Sequence, residues 1–201
     1  MKRTIFCFMI TMILFFSQNV FGFSFRGIEI GKSLKEQIPE CKWNEYTKKY
    51  GWNEYDKWEK ETNYNPDKEG ICWSDKNSID IGIPISNLPD LGFPAPSHAE
   101  EINGKVERII VTFLEIYADK FLSILESKYG KPKLNTSKVQ NRLGASFDKI
   151  SATWKVENCT ILFMNIYEDI DSGILFITSD TYIELQIKQK KQEIEDSASK
   201  L

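Results

Sequence analysis

The sequence of 201 residues has few of the side chains that build common catalytic and metal sites. It contains a single histidine, His98, and no CxxC pair, which argues against a zinc site. It also has no glycine-rich phosphate loop, and no G-x-S-x-G motif supplies a nucleophile for His98. The sequence therefore identifies no catalytic residue, and we expect no metal and no other cofactor.

Beyond its first residues, the chain has no apolar run long enough to cross a bilayer, which takes about 20 residues. At the start, Lys2 and Arg3 precede an apolar run over residues 5–16, and a cleavage site fits before Phe23. This pattern predicts a signal peptide over residues 1–22. The alternative is a retained membrane anchor, for which the run is short. We expect a periplasmic or secreted protein with no stable membrane span after cleavage.

The predicted mature chain has no excess of positive charge. Loss of Lys2 and Arg3 changes the formal net charge from -3 to -5, which argues against a nucleic-acid partner. Hydrophobic residues make up 41% of the chain and charged residues 27%, which is typical of globular proteins. The composition predicts a single secreted domain over residues 23–195, followed by a frayed tail over residues 196–201.

Cysteine is also rare, since only Cys41, Cys72 and Cys159 remain after cleavage. Exported proteins keep disulfides, and we expect the pair Cys41–Cys72. Cys159 lies in the apolar run "CTILFMNIY", where a free thiol behaves as a small hydrophobe. Closing this loop would stabilise the fold by about 3 kcal/mol in the chain-entropy model. The alternative is that all three thiols are reduced and buried.

Helices are predicted at three places by apolar spacing and capping residues. A short helix begins near Ser33, with Glu36 as its capping-box partner. A second helix is predicted within residues 117–132 and ends at Gly130. A third is capped by Ser179 or Asp180 and runs toward the C-terminus.

Strands are predicted in consecutive runs, which is typical of the α+β class. We expect an antiparallel sheet of about five strands with helices packed on one face. Residues 86–105 are expected to form an irregular loop that closes at the turn "NGK", and residues 133–146 a polar connection. Because Asn103-Gly104 precedes the strand over residues 106–113, this turn also favours a hairpin partner upstream of it. A short strand is predicted at the start of the mature chain, before a turn at Gly31. The other predicted strands cover residues 78–85, 106–113, 149–156, 159–167 and 173–179.

The segment 41–73 forms an aromatic-rich insertion, in which the tetrapeptide "WNEY" occurs twice. Tryptophan and tyrosine have a large apolar ring with a polar group, which suits contact surfaces that are partly accessible to water. The charged residues between them argue against complete burial of this segment. The alternative is a satellite core in which the rings pack on one another and on the sheet. The binding residues predicted from this segment are Trp43, Tyr46, Trp52, Tyr55 and Trp58.

Taken together, these patterns predict an exported bacterial binding module of the inhibitor, immunity or envelope-accessory type. Its partner would be a protein or a glycan in the envelope or outside the cell. One alternative is a hydrolase of cell-wall or extracellular polymer, which would use carboxylates that the sequence does not locate. A second is a purely structural envelope component. Asp169 and Asp171 have the spacing of calcium ligands, but a solvated hairpin turn explains them better.

Overall fold

The computed structural model describes residues 23–44, 70–74 and 82–199, so the predicted signal peptide and most of the aromatic insertion lie outside the described residues. The elements in chain order are β1 (Ser24–Phe25), β2 (Ile28–Glu29), α1 (Leu34–Gln37), β3 (Cys72–Trp73), β4 (Ile83–Ser86), β5 (Ser97–Ile102), β6 (Lys105–Leu114), α2 (Ala118–Tyr129), β7 (Lys133–Gln140), β8 (Ser146–Val156), β9 (Cys159–Met164), β10 (Ser172–Ser179) and α3 (Asp180–Ala198).

The main sheet has the strand order β3-β4-β5-β6-β10-β9-β8-β7 in the described part of the chain. Each neighbouring pair is antiparallel. The predicted α+β class and antiparallel sheet are confirmed, but the sheet has eight strands rather than about five. Strands β1 and β2 pair separately as a small hairpin.

Two of the additional strands lie in segments that were expected to be irregular. Strand β5 falls within the expected loop 86–105, and it forms a tight hairpin with β6 through Asn103 and Gly104, both with positive φ. The hairpin partner expected upstream of this turn is therefore confirmed, although its bounds were not predicted. Strand β7 falls within the expected connection 133–146, yet all eight of its residues pair with β8, so that prediction was wrong. Both strands are largely polar and show no apolar alternation.

The core lies on one face of the sheet, under α2. Phe113 of β6 stacks on Phe163 of β9 with ring centroids 5.3 Å apart, and it meets Phe121 of α2 edge-on at 5.1 Å. Leu34 of α1 and Leu125 of α2 complete this side of the core and are buried. Helices α1 and α2 therefore cover the face of the sheet on which the core lies.

The helix ends agree with the sequence in two cases out of three. Gly130 ends α2 with φ +80°, and the Ser179 hydroxyl accepts the Tyr182 backbone N–H at 2.9 Å at the start of α3. The capping box predicted at Ser33 is absent, since that side chain makes no cap hydrogen bond. Instead, the Glu101 carboxylate accepts the Leu34 backbone N–H at 2.8 Å.

Helix α3 is arranged differently from α1 and α2. None of its residues is buried, and Tyr182 in its first turn contacts the sheet face opposite the core. Within the described part of the protein, most of the opposite sheet face therefore has no helix over it.

Among the described residues, no helix is both long enough and apolar enough to cross a membrane.

Candidate functional site

The predicted aromatic site is only partly within the described residues. Trp43 is half-buried and lies two residues after the core residue Cys41. Tyr46, Trp52, Tyr55 and Trp58 lie outside the described residues, so their role as binding residues stays a prediction.

The two ends of the aromatic insertion are fixed to the edge of the sheet. Cys41 and Cys72 form a disulfide with their Cα atoms 5.0 Å apart, and both are fully buried. The Cys41 backbone N–H donates to the Trp73 carbonyl at 2.8 Å, and the Trp73 N–H donates to the Pro39 carbonyl at 3.0 Å. The structure thus pairs the cysteines that the sequence pointed to and leaves Cys159 as a buried free thiol.

A cluster of polar and aromatic side chains surrounds Arg108 on the sheet face opposite the core. Its Nη2 donates to Glu100 Oε1 at 2.6 Å. The guanidinium carbon lies 5.1 Å from the Phe176 ring centroid and 5.0 Å from that of Tyr182, which are cation–π distances. The Tyr182 hydroxyl contacts the second Glu100 oxygen at 3.3 Å. Burial raises the pKa of Tyr182, which favours the protonated hydroxyl as the donor.

A β-bulge in the hairpin β5–β6 brings Glu100 and Arg108 together. Next to the turn, Ile102 pairs with Lys105 and Glu101 pairs with Val106. If this register continued unchanged along the two strands, Glu100 would lie opposite Glu107. The register shifts between Glu100 and Glu101, so Glu100 pairs with Arg108 instead. Glu107, the extra residue, turns inward and accepts a hydrogen bond from the Ser179 hydroxyl. The bulge therefore replaces a repulsive pair of carboxylates with an ion pair.

A cleft of about 250 Å³ lies beside this cluster. Ile110 and Ile174 line it and are buried, whereas Tyr167 is 39% exposed and meets Phe176 edge-on with centroids 5.8 Å apart. Arg108 Nε is buried with no hydrogen-bond partner among the described residues. We call this site the Arg108 cleft; it is lined by Glu100, Arg108, Ile110, Thr112, Tyr167, Glu168, Ser172, Gly173, Ile174 and Phe176.

Two carboxylates line the Arg108 cleft, as the hydrolase alternative requires. Glu100 is engaged by Arg108 and Tyr182, and Glu168 is exposed at the rim. Nearby, Asp169 accepts the Asp171 backbone N–H at 3.0 Å and the Ser172 hydroxyl at 2.7 Å, as a hairpin turn does. These bonds lower the pKa of Asp169. No observation on the described residues favours a specific acid–base pair, and the hydrolase remains a hypothesis.

The remaining reactive side chains have other surroundings. Burial raises the pKa of the Cys159 thiol to about 11, so it is protonated at neutral pH and a poor nucleophile. His98 lies on β5 beside Ile110, and burial lowers its pKa. Within residues 23–44, 70–74 and 82–199, no three histidine, cysteine or carboxylate side chains are grouped as metal ligands would be.

No protein-family model, curated protein or solved structure matches this chain. Function therefore has to be inferred from the geometry of the described residues. The sequence contained one signal for the Arg108 cleft, namely the polar residues Arg108 and Thr112 that alternate with the core residues of β6. The pairing of Arg108 with Glu100 could not be predicted from the sequence. The two-residue turn at Asn103 and Gly104 predicts a regular register between β5 and β6, and the bulge shifts that register by one residue.

Proposed function

We propose that the protein is an exported, non-enzymatic binding module that holds a protein partner on the open sheet face around the Arg108 cleft. One observation supports this most: the Arg108 guanidinium lies against Phe176 and Tyr182 on a sheet face where no helix of the described residues lies over the cleft. We further propose that the protein acts in the periplasm or outside the cell. This localisation is supported by the leader-like residues 1–22 and by the Cys41–Cys72 disulfide.

The side chains of the cleft have the composition of a protein interface. Arginine, tyrosine and tryptophan carry much of the binding energy in such interfaces, usually near a desolvated centre. Here Arg108 is already oriented by Glu100, so little side-chain entropy is lost when a partner binds. The ring of Tyr167, which is 39% exposed, offers an apolar contact beside the oriented Arg108 guanidinium.

The aromatic insertion is the second part of the proposed surface. Trp43, Tyr46, Trp52, Tyr55 and Trp58 remain the proposed binding residues there. The insertion variant is Trp52→Ala with Trp58→Ala, and its comparison with the cleft variant below assigns binding to the cleft, to the insertion or to both.

The test is quantitative capture of partners from the periplasm and medium of the native host, with residues 23–201 as bait. The cleft variant is Tyr167→Ala with Glu168→Lys, and its matched control on α3 is Ile187→Ala with Glu184→Lys. We expect the cleft variant to reduce recovery of one partner about tenfold or more, because truncation of a hot-spot residue costs about 2 kcal/mol of binding free energy. Equal recovery with both variants would contradict a binding role of the cleft.

A further inference from the structure

The hairpin of β7 and β8 extends beyond the sheet. Strand β8 pairs with β9 as far as Ser151 and Met164, but pairing of β7 with β8 continues to Gln140 and Ser146. The two strands therefore extend beyond the sheet over residues 136–140 and 146–150. This two-stranded extension is about 17 Å long, because each residue of a strand adds roughly 3.3 Å.

The base of this extension is held by the buried side chain of Asn165. Its Oδ1 accepts the Ile150 backbone N–H at 2.6 Å, and its Nδ2 donates to the Asp148 carbonyl at 3.0 Å. The side chain thus acts as a short continuation of β9. The extension consequently leaves the sheet in a defined direction.

The extension and the start of β7 are basic on an otherwise acidic protein. We define the basic ribbon as residues 133–149, which contain four basic residues and one acidic residue, a formal net charge of +3. Lys133 lies before the extension, opposite Thr153 in the sheet, and the other three basic residues lie in the extension and its turn. The predicted mature chain as a whole carries -5, as counted above. The acidic residue, Asp148, is paired with Lys138 at 3.3 Å on the surface. The basic residues of the ribbon are Lys133, Lys138, Arg142 and Lys149.

The tip of the ribbon presents one large apolar side chain. Leu143 is 92% exposed, directly after Arg142. The turn is ordered by Asn141, whose side-chain oxygen accepts the backbone N–H groups of Leu143 at 3.0 Å and Ala145 at 2.9 Å. Gly144 has φ +82°, a conformation that suits glycine. An ordered turn therefore keeps a leucine at the far end of a cationic arm.

We propose that the basic ribbon docks on the surface of a bilayer containing anionic phospholipid, with Leu143 entering the interface and the cations contacting the headgroups. Clustered lysine and arginine are attracted to anionic leaflets, and an apolar side chain beside them adds a hydrophobic contribution. A bilayer fits better than an acidic protein, because the exposed apolar side chains of the ribbon do not form one patch: Leu143 is at the tip, and Leu134, 55% exposed, is near the start of β7. This association would be peripheral, and it does not depend on a partner at the Arg108 cleft.

The surface of α3 provides a contrast within the same chain. It also carries exposed apolar residues, Ile187 and Ile194, and three lysines in residues 188–191. Those lysines are followed closely by Glu193, Glu195 and Asp196, so the cationic surface is interrupted. Helix α3 is therefore a suitable place for control substitutions with the same chemistry.

The experiment is co-sedimentation of residues 23–201 with vesicles of phosphatidylglycerol mixed with phosphatidylcholine, and with pure phosphatidylcholine vesicles, at low and high salt. The variants are Leu143→Ser, and Lys133→Gln with Arg142→Gln. Their controls on α3 are Ile187→Ser, and Lys188→Gln with Lys190→Gln. We expect salt-sensitive binding to the anionic vesicles only, weakened about tenfold by either ribbon variant and unchanged in the controls.

Three results would overturn the proposal. One is the absence of binding to the anionic vesicles. Another is equal weakening by the ribbon variants and by the α3 controls. The third is capture by soluble polyglutamate without capture by vesicles, which would assign the cations to an acidic protein partner. None of these results bears on the Arg108 cleft, because its side chains are unchanged in every variant.

Discussion

At the scale of single residues, the site depends on how each charged side chain is partnered. Arg108 is neutralised by Glu100 and lies against two rings, so its charge can remain on a half-buried sheet face. Glu107 is buried and is satisfied by the Ser179 hydroxyl. His98 differs from both, because its Nδ1 is buried with no hydrogen-bond partner in the described part of the chain.

His98 should make the stability of the protein depend on pH. Burial lowers its pKa below the ordinary 6.5, so the unfolded chain binds a proton at a higher pH than the native protein does. The free energy of unfolding should therefore fall as the pH decreases below about 6.5, and His98→Gln should flatten that slope between about pH 7 and 5. Urea unfolding at several pH values measures the slope. A native NMR titration midpoint at or above 6.5 for this single histidine would refute the assignment.

At the scale of elements, the apolar pattern predicted those strands and helices that bury one side. Strands β6, β8, β9 and β10 lie within or close to the predicted ranges, as do α2 and α3. Strand β7 was missed because its side chains are almost all exposed and its pairing with β8 needs no apolar face. The Arg108 cleft was missed for a related reason, since a single bulge changes which side chains meet.

Strands β6, β9 and β10 pack closely around Gly173. An added methyl group there would clash with the Phe113 ring and would lie 2.9 Å from the Met164 carbonyl oxygen. Because Phe113 is stacked on Phe163, the ring has little room to move. Gly173→Ala should lower the free energy of unfolding by about 1–3 kcal/mol.

The matched control for this substitution is Gly70→Ala, where an added methyl group meets none of the described residues within 4 Å. Chemical denaturation of the two variants gives the comparison. Equal stability of the two variants would show that the packing around Gly173 can relax.

The base of the basic ribbon should depend on Asn165. Asn165→Ala leaves the Ile150 N–H and the Asp148 carbonyl without their side-chain partner. We expect the free energy of unfolding to fall by about 1–3 kcal/mol, and amide exchange at Ile150 to become faster. Asn135→Ala, at an exposed position of β7, serves as the control and should change neither quantity. Unchanged exchange at Ile150 in the Asn165 variant would contradict this role.

At the scale of the whole molecule, two surfaces lie at different places on one scaffold. The Arg108 cleft is on the sheet face opposite the core, and the aromatic insertion begins at the edge of the sheet, where Cys41 and Cys72 are joined. The insertion is therefore anchored to the same core that supports the cleft.

The disulfide should be a major contributor to global stability. Reduction with dithiothreitol should lower the free energy of unfolding by about 3 kcal/mol, because it releases a closed loop in the unfolded chain. The double variant Cys41→Ser, Cys72→Ser should have the same lower stability and should not respond to dithiothreitol. Non-reducing peptide mapping of the protein from its native host should link the Cys41 and Cys72 peptides. A link from either of them to Cys159 would contradict the structure.

The central claim is that a partner binds on the open face around the Arg108 cleft. Site-specific photo-crosslinking in the native host tests it most directly, with a photoreactive amino acid placed at Tyr167 in the cleft or at Ser127 on the exposed side of α2. The account predicts a discrete cross-linked partner at position 167 that excess unlabelled wild-type protein removes, and no such product at position 127. An identical product at both positions, or no product at position 167, would contradict it.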